Sequence, residues 1–176
     1  MKRALDAAEI TALYETYARQ AVTTFNKEKE CAPKLFGVIM GAKSGTIEQQ
    51  LLIDPILVRA LHSNANTKDA LMDIVIALLK LESPHCLDCI VHISEVWISE
   101  GRLPIDDKAP APVDDPARTE GIQVTLHTRE RSYAGLCRIV GAEGSADRHA
   151  IYGSIEKDAV LHGRFAMQDR AGHSTH

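Results

Sequence analysis

The densest run of chemistry-bearing side chains is His85-Cys86-Leu87-Asp88-Cys89-Ile90-Val91-His92. Two cysteines separated by two residues put two thiolates on one tight turn, where both reach a single tetrahedral zinc ion. Cys86 and Cys89, with His92 as third ligand, form the candidate metal set, and His85 is the alternative third ligand. No second C-x2-C or H-x3-H pair follows, so Cys31, His127 or Cys137 would have to complete the shell from distant segments. The competing reading makes Cys89 an ordinary buried residue at the entry to a strand. A thioredoxin-like pair follows a strand and opens a helix, whereas this pair follows a helix and opens a strand. The incomplete ligand set favours no cofactor, with zinc as the lesser alternative.

A second group combines Ser94-Glu95-Val96-Trp97 with Asp115-Pro116-Ala117-Arg118-Thr119-Glu120. Strand alternation puts Glu95 on one face with Val91, Ile93 and Trp97. If that face packs on helices, Glu95 is a buried carboxylate that needs a cation or must keep its proton. Arg118 and Arg138 are the expected partners. The plain reading is an ion pair that pins a loop to the sheet. The sharper reading is a binding or hydrolytic pocket lined by Glu95, Trp97, Arg118, Glu120, His127 and Arg138, with Glu95 as acid or base.

Arg129, Arg131 and Arg138, beside Tyr133, form an expected basic spot at the turn between two strands. A basic spot with an aromatic residue suits a phosphate backbone. The chain as a whole argues otherwise. Its 20 basic and 24 acidic residues give a formal net charge of -4, and the pI is about 6.0. A duplex-binding module carries a basic excess, so nucleic acid is not the expected partner. No G-x-G-x-x-G, P-loop, G-x-S-x-G or H-E-x-x-H pattern occurs.

The elements that must position these groups follow from periodicity. Asp6 and Glu9 open a helix expected over 6–30, with Ile10, Leu13, Tyr14, Tyr17, Ala21 and Phe25 on its apolar face. Residues 34–53 read as a hairpin turning at Lys43-Ser44-Gly45, and 56–63 as a short helical turn. A second main helix is expected over 66–81, from Asn66 to Leu81. Strands are expected at 88–99, 121–130 and 132–140, with a proline-rich loop over 100–120 and one or two short strands within 148–167. Ile122, Val124 and Leu126 alternate with Gln123, Thr125, His127 and Arg129, the pattern of a strand with one solvated face.

This order, α-β-β-α-β-β-β, predicts an α+β fold: a single domain over 1–168 with an antiparallel sheet and two main helices on one face, then a disordered tail at 169–176. It resembles the order in profilin-like and roadblock-like folds, an analogy that carries no function. Its 176 residues are enough to bury a core without disulfides. The basic N-terminus is not followed by an apolar stretch, and the longest apolar run, Ile74 to Leu79, is far short of a membrane span. A cytoplasmic protein with reduced cysteines is expected.

The S-E-x-W strand, the proline-rich loop and the D-P-x-R-x-E segment together resemble a family of small uncharacterised bacterial and phage-borne proteins, over roughly residues 90–140. The resemblance implies a mobile-element or accessory setting, counter-defence included, and assigns no catalytic residue. With no complete catalytic set and long sheet edges able to pair, the expected function is a non-enzymatic protein-interaction module. Its expected partner is a second copy, as a homodimer, or another protein.

Overall fold

Asp6 starts the first helix as its sequence requires. Its carboxylate accepts the Glu9 N–H at 2.9 Å, and the Glu9 carboxylate returns to the Asp6 N–H at 3.1 Å. Two otherwise orphaned amides are thereby satisfied. Helix α1 runs Ala7–Glu28, and Lys29 ends it in the left-handed region (φ 63°), its N–H bonding the Phe25 carbonyl. In this computed structural model the described residues are 4–41, 43, 45–62, 70, 73, 74, 77, 87–98 and 119–156.

Strands β1 (Lys34–Met40) and β2 (Ile47–Leu52) form the expected hairpin, whose turn uses Gly45 at φ 76°. Helix α2 (Pro55–His62) follows. Strands β3 (Cys89–Ile98), β4 (Thr119–Thr128) and β5 (Ser132–Val140) are long and antiparallel. The short strands β6 (His149–Ile151) and β7 (Ile155–Glu156) both pair with β5. The sheet order is β2-β1-β3-β4-β5-β6, with β7 off this path. The chain is thus an α+β domain on one antiparallel sheet.

Register decides what each face carries. Cross-strand partners share a face, so Phe36, Val91 and Leu126 lie on the same side, as do Ile93, Val124, Ile122 and Cys137. The apolar stripe of α1 covers that side: Ile10, Leu13, Tyr14, Tyr17, Ala18, Ala21 and Phe25 are buried in one core with these strand residues. The Tyr17 hydroxyl donates to Gln50 Oε1 at 3.0 Å, and burial pushes its pKa up to about 12, so it stays protonated.

The opposite face corrects one expectation. Alternation predicts solvent there, yet Ile90, His92, Ser94, Thr125, His127 and Ser132 are all buried, as is Leu35. Buried Val58 fastens α2 against β1. The second main helix expected over 66–81 falls largely outside the described residues, with residues 70, 73, 74 and 77 helical. The proline-rich loop and the expected tail also lie outside them.

Candidate functional site

Strand β3 delivers Glu95 and Trp97 to the α1 side of the sheet, as alternation predicts, but beyond the reach of the helix. Glu95 is not a buried carboxylate: its side chain is 37% exposed. One oxygen, Oε1, accepts the Cys31 N–H in the segment that joins α1 to β1. Trp97 lies opposite Glu120 of β4 and is half-exposed.

The cation that gathers this end of the sheet is Arg148, just before β6. Its Nη2 donates to Glu120 Oε2 at 2.7 Å and lies 4.0 Å from Glu95 Oε2. Its Nη1 donates to the Lys29 carbonyl at 3.0 Å, and Lys29 Nζ donates back to the Arg148 carbonyl at 2.6 Å. The guanidinium sits 5.0 Å above the Phe25 ring, a geometry in which the ring's negative face attracts the cation. Beside it, Asn26 bonds both the N–H and the carbonyl of Ala150, at 2.7 and 3.2 Å. Lys29 is the C-cap of α1, so its carbonyl has no partner within the helix and can accept from the arginine. The arrangement binds the end of α1 to the β5–β6 turn. Arg148 is only 12% exposed; both of its Nη groups are engaged by fixed acceptors, and Nε is buried without a hydrogen-bond partner.

The expected partners of Glu95 therefore change. Arg138 faces the other way, since it pairs with Gly121 and Ile151 whereas Glu95 pairs with Ile122. Arg118 lies outside the described residues. The expected basic spot also divides: Arg129 and Arg131 are exposed at the β4–β5 turn, while Arg138 lies seven residues along β5, roughly 20 Å away at strand rise.

His127 does not join Glu95 and Glu120. Its partners Ile90 and Ser132 place it on the opposite face, fully buried, with Nδ1 2.8 Å from Ser132 Oγ. Burial pushes its pKa down to about 4 from the usual 6.5. His92 pairs with Thr125 on that same hidden face, and Ser94 lies beyond it opposite Gln123, so a polar row crosses the middle of the sheet. Alternation alone groups Thr125 and His127 on one face of β4 but does not join them to His92 or Ser132. Their common parity within β3 and β4 was the available signal, but only the inter-strand register joins them.

The sign of the histidine effect is definite. The folded state holds His127 neutral, whereas the unfolded chain takes up a proton below about pH 6.5. Stability is therefore complete above that pH and is lost as the pH falls towards 4. Between pH 7 and 4.5 this one group should remove roughly 2–3 kcal/mol. Urea midpoints at the two pH values, for the native chain and His127→Asn, measure it: the variant should lose markedly less on acidification. Equal losses would show that His127 is not the titrating group.

The candidate metal ligands separate in the same way. Cys89 faces the α1 core and His92 the opposite side, so one ion cannot take both; Cys86 lies outside the described residues. Burial, with Asp88 adding to it, pushes the Cys89 thiol well above its ordinary pKa, away from the thiolate that zinc requires. Among the described residues no group of three His, Cys, Asp or Glu side chains is placed to hold a metal ion.

An open cleft of about 260 Å³ lies next to Glu95. It is lined by Glu30, Cys31, Ala32, Pro33, Arg59, Ser94 and Glu95. Arg59 already contacts Glu30 across its mouth at 3.3 Å. Burial pushes the Cys31 thiol up to about 11, so it is protonated and a weak nucleophile at neutral pH.

A different surface stands out by its apolarity. Leu51 and Leu52 on β2, then Ile56 and Leu57 on α2, are 62%, 45%, 81% and 51% exposed. They fall within one short stretch at the β2 edge of the sheet. In sequence this stretch reads as the imperfectly alternating return strand of a hairpin followed by a short helical turn, with no role assigned to it.

The chain matches no family model, no curated protein and no solved structure. No helix among the described residues is long and apolar enough to cross a membrane.

Proposed function

We propose that this chain is a non-enzymatic protein-interaction module that docks through the β2–α2 edge, residues 51–57. An accessory role in a bacterial or mobile-element setting, including counter-defence, fits the S-E-x-W and D-P-x-R-x-E resemblance. The observation that carries the reading is the exposure of Leu51 and Leu52 on a terminal strand and of Ile56 and Leu57 on the helix that follows it. Leu51 and Leu52 face water on the two sides of the edge strand, and Ile56 and Leu57 on the helix after it; large apolar side chains so exposed favour association, because covering them releases ordered solvent. An open strand edge adds main-chain donors and acceptors to that attraction. The engagement of Arg148 with Glu120 and Lys29 also supports it, since those groups serve the fold.

The small-molecule reading has one observation in its favour, the cleft beside Glu95. Its 260 Å³ is below the roughly 300–1,000 Å³ usual for ligand pockets, and it is open to solvent. Its charged groups are already engaged with one another or with the backbone.

The variant Leu51→Lys with Ile56→Lys tests the docking reading. Both positions are exposed, so the change in stability should stay within about 0.5 kcal/mol each. Association, with itself or with another protein, should be lost while the circular dichroism spectrum and melting temperature hold. A folded double variant that associates as well as the native chain would place docking elsewhere.

A further inference from the structure

We infer that the occupant of the β2 edge is a second copy of this chain, its β2 paired antiparallel to the first about a two-fold axis at Leu51. The inference rests on the reading of residues 51–57 as the docking face and names the partner of that face.

The phase of the backbone carries the argument. The Ile53 N–H bonds the Leu35 carbonyl at 2.9 Å, and the register runs Gly37 opposite Leu51 and Ile39 opposite Gln49. Antiparallel pairs alternate between bonded and non-bonded. Residues 49, 51 and 53 therefore turn their main-chain groups towards β1, and Gln50 and Leu52 turn theirs outward. Among the described residues no strand lies on that outer side.

The regular stretch Gln49–Ile53 contains no charge. The register shift at Ile39/Met40 leaves Glu48 outside it. Asp54 bends away as well, its carboxylate accepting the Ile56 N–H at 2.8 Å at the start of α2. Five neutral residues remain, centred on Leu51, and such a stretch matches itself. A two-fold axis there sets the outward groups of Gln50 against those of Leu52 in the second copy, and the reverse. Four main-chain hydrogen bonds result, and the acidic pair that the same register sets opposite each other, Glu48 and Asp54, falls one position beyond the paired stretch at either end.

Side chains agree with the backbone. Leu51 meets Leu51 of the second copy at a non-bonded position, where strands bring side chains closest. Ile56 and Leu57, exposed at the start of α2, add apolar surface a few residues from the axis. Strand edges that stay single in solution are often blunted by lysine, proline or a bulge; residues 49–53 have none of these, the bulge at Glu48 and Pro55 falling outside the stretch.

Cysteine trapping with light scattering tests the inference. Leu51→Cys brings two sulfur-bearing positions within disulfide reach across the axis, because a non-bonded antiparallel pair has Cα atoms about 4.5 Å apart. Under mild oxidation by diamide this variant should form a covalent dimer rapidly. Gln49→Cys, opposite Ile53 of the second copy, should do so at least about tenfold more slowly. The native protein should have twice the chain mass, and Leu51→Lys should weaken the dimer at least about tenfold. A native protein that is monomeric throughout a dilution series overturns the inference. If that monomer then binds another protein and loses it on Leu51→Lys, the docking reading survives without the dimer. If Leu51→Lys leaves that binding unchanged, or nothing binds, both fail. A dimer that resists Leu51→Lys and traps equally at both cysteines also overturns the inference.

Discussion

Replacing Gly135 by alanine is expected to cost about 3 kcal/mol, a large share of the stability of a domain of this size. Gly135 lies on β5 opposite Val124, on the face that α1 covers. A Cβ there would stand 2.6 Å from Cε2 of Tyr14 and would crowd Cζ and the hydroxyl still more. Tyr14 cannot swing aside, because it is fully buried and its hydroxyl donates to the Gly153 carbonyl at 2.7 Å. The helix must lift or the bond must break. Overpacking a core costs about 1–3 kcal/mol, and a buried hydrogen bond left unmade costs a similar amount. Urea unfolding measures the loss. In a Tyr14→Leu background the same glycine substitution should cost less than half as much, since the ring is gone. A loss below about 1 kcal/mol in the native background would mean that α1 does not seat on β5 as described.

The second large effect belongs to Arg148→Ala, expected to cost about 3 kcal/mol. The substitution removes the donors to Glu120 and to the Lys29 carbonyl and the cation above Phe25, and leaves Glu120, 19% exposed, without its cation. Arg148→Lys should recover only part of this, because an ammonium cannot hold both acceptors in a fixed fork. Glu95→Gln should cost less than about 1 kcal/mol, since Glu95 is 37% exposed and its oxygen is 4.0 Å from the guanidinium. A double-mutant cycle between Arg148 and Glu120 should show coupling of at least about 1 kcal/mol. Near-zero coupling, or an Arg148→Ala variant as stable as the native chain, would contradict the clamp.

The contrast between Glu120 and Glu95 shows where sequence reasoning reaches its limit. Helix α1 was legible because Asp6, Glu9 and the apolar spacing are local signals, each acting within a few residues. Strands β1 to β5 were legible for the same reason, and alternation correctly set Glu95 with Val91, Ile93 and Trp97. The partner of the carboxylates was not, because Arg148 lies 28 residues from Glu120 and meets it only through the β4–β5–β6 order. Nothing in the local sequence prefers Arg148 over Arg118 or Arg138.

The hidden face follows the same logic. Thr125 and His127 look like the wet side of a half-covered strand, and composition alone gives no reason to bury them. Burial becomes understandable once register lines them up with His92 and Ser132, which form a row that satisfies part of its own polarity. Grouping His127 with Glu95 and Glu120 failed for one physical reason: a strand's side chains alternate, and parity on one strand cannot be related to parity on another until the register is known.

Amide hydrogen exchange, followed as the protein assembles with itself or a partner, locates the docking face. New protection should be confined to residues 47–57, led by the outward amides of Gln50 and Leu52, with no change over Glu30–Pro33 or Ser94–Trp97. Protection that appears beside Glu95 while the β2 amides exchange freely would contradict docking through residues 51–57.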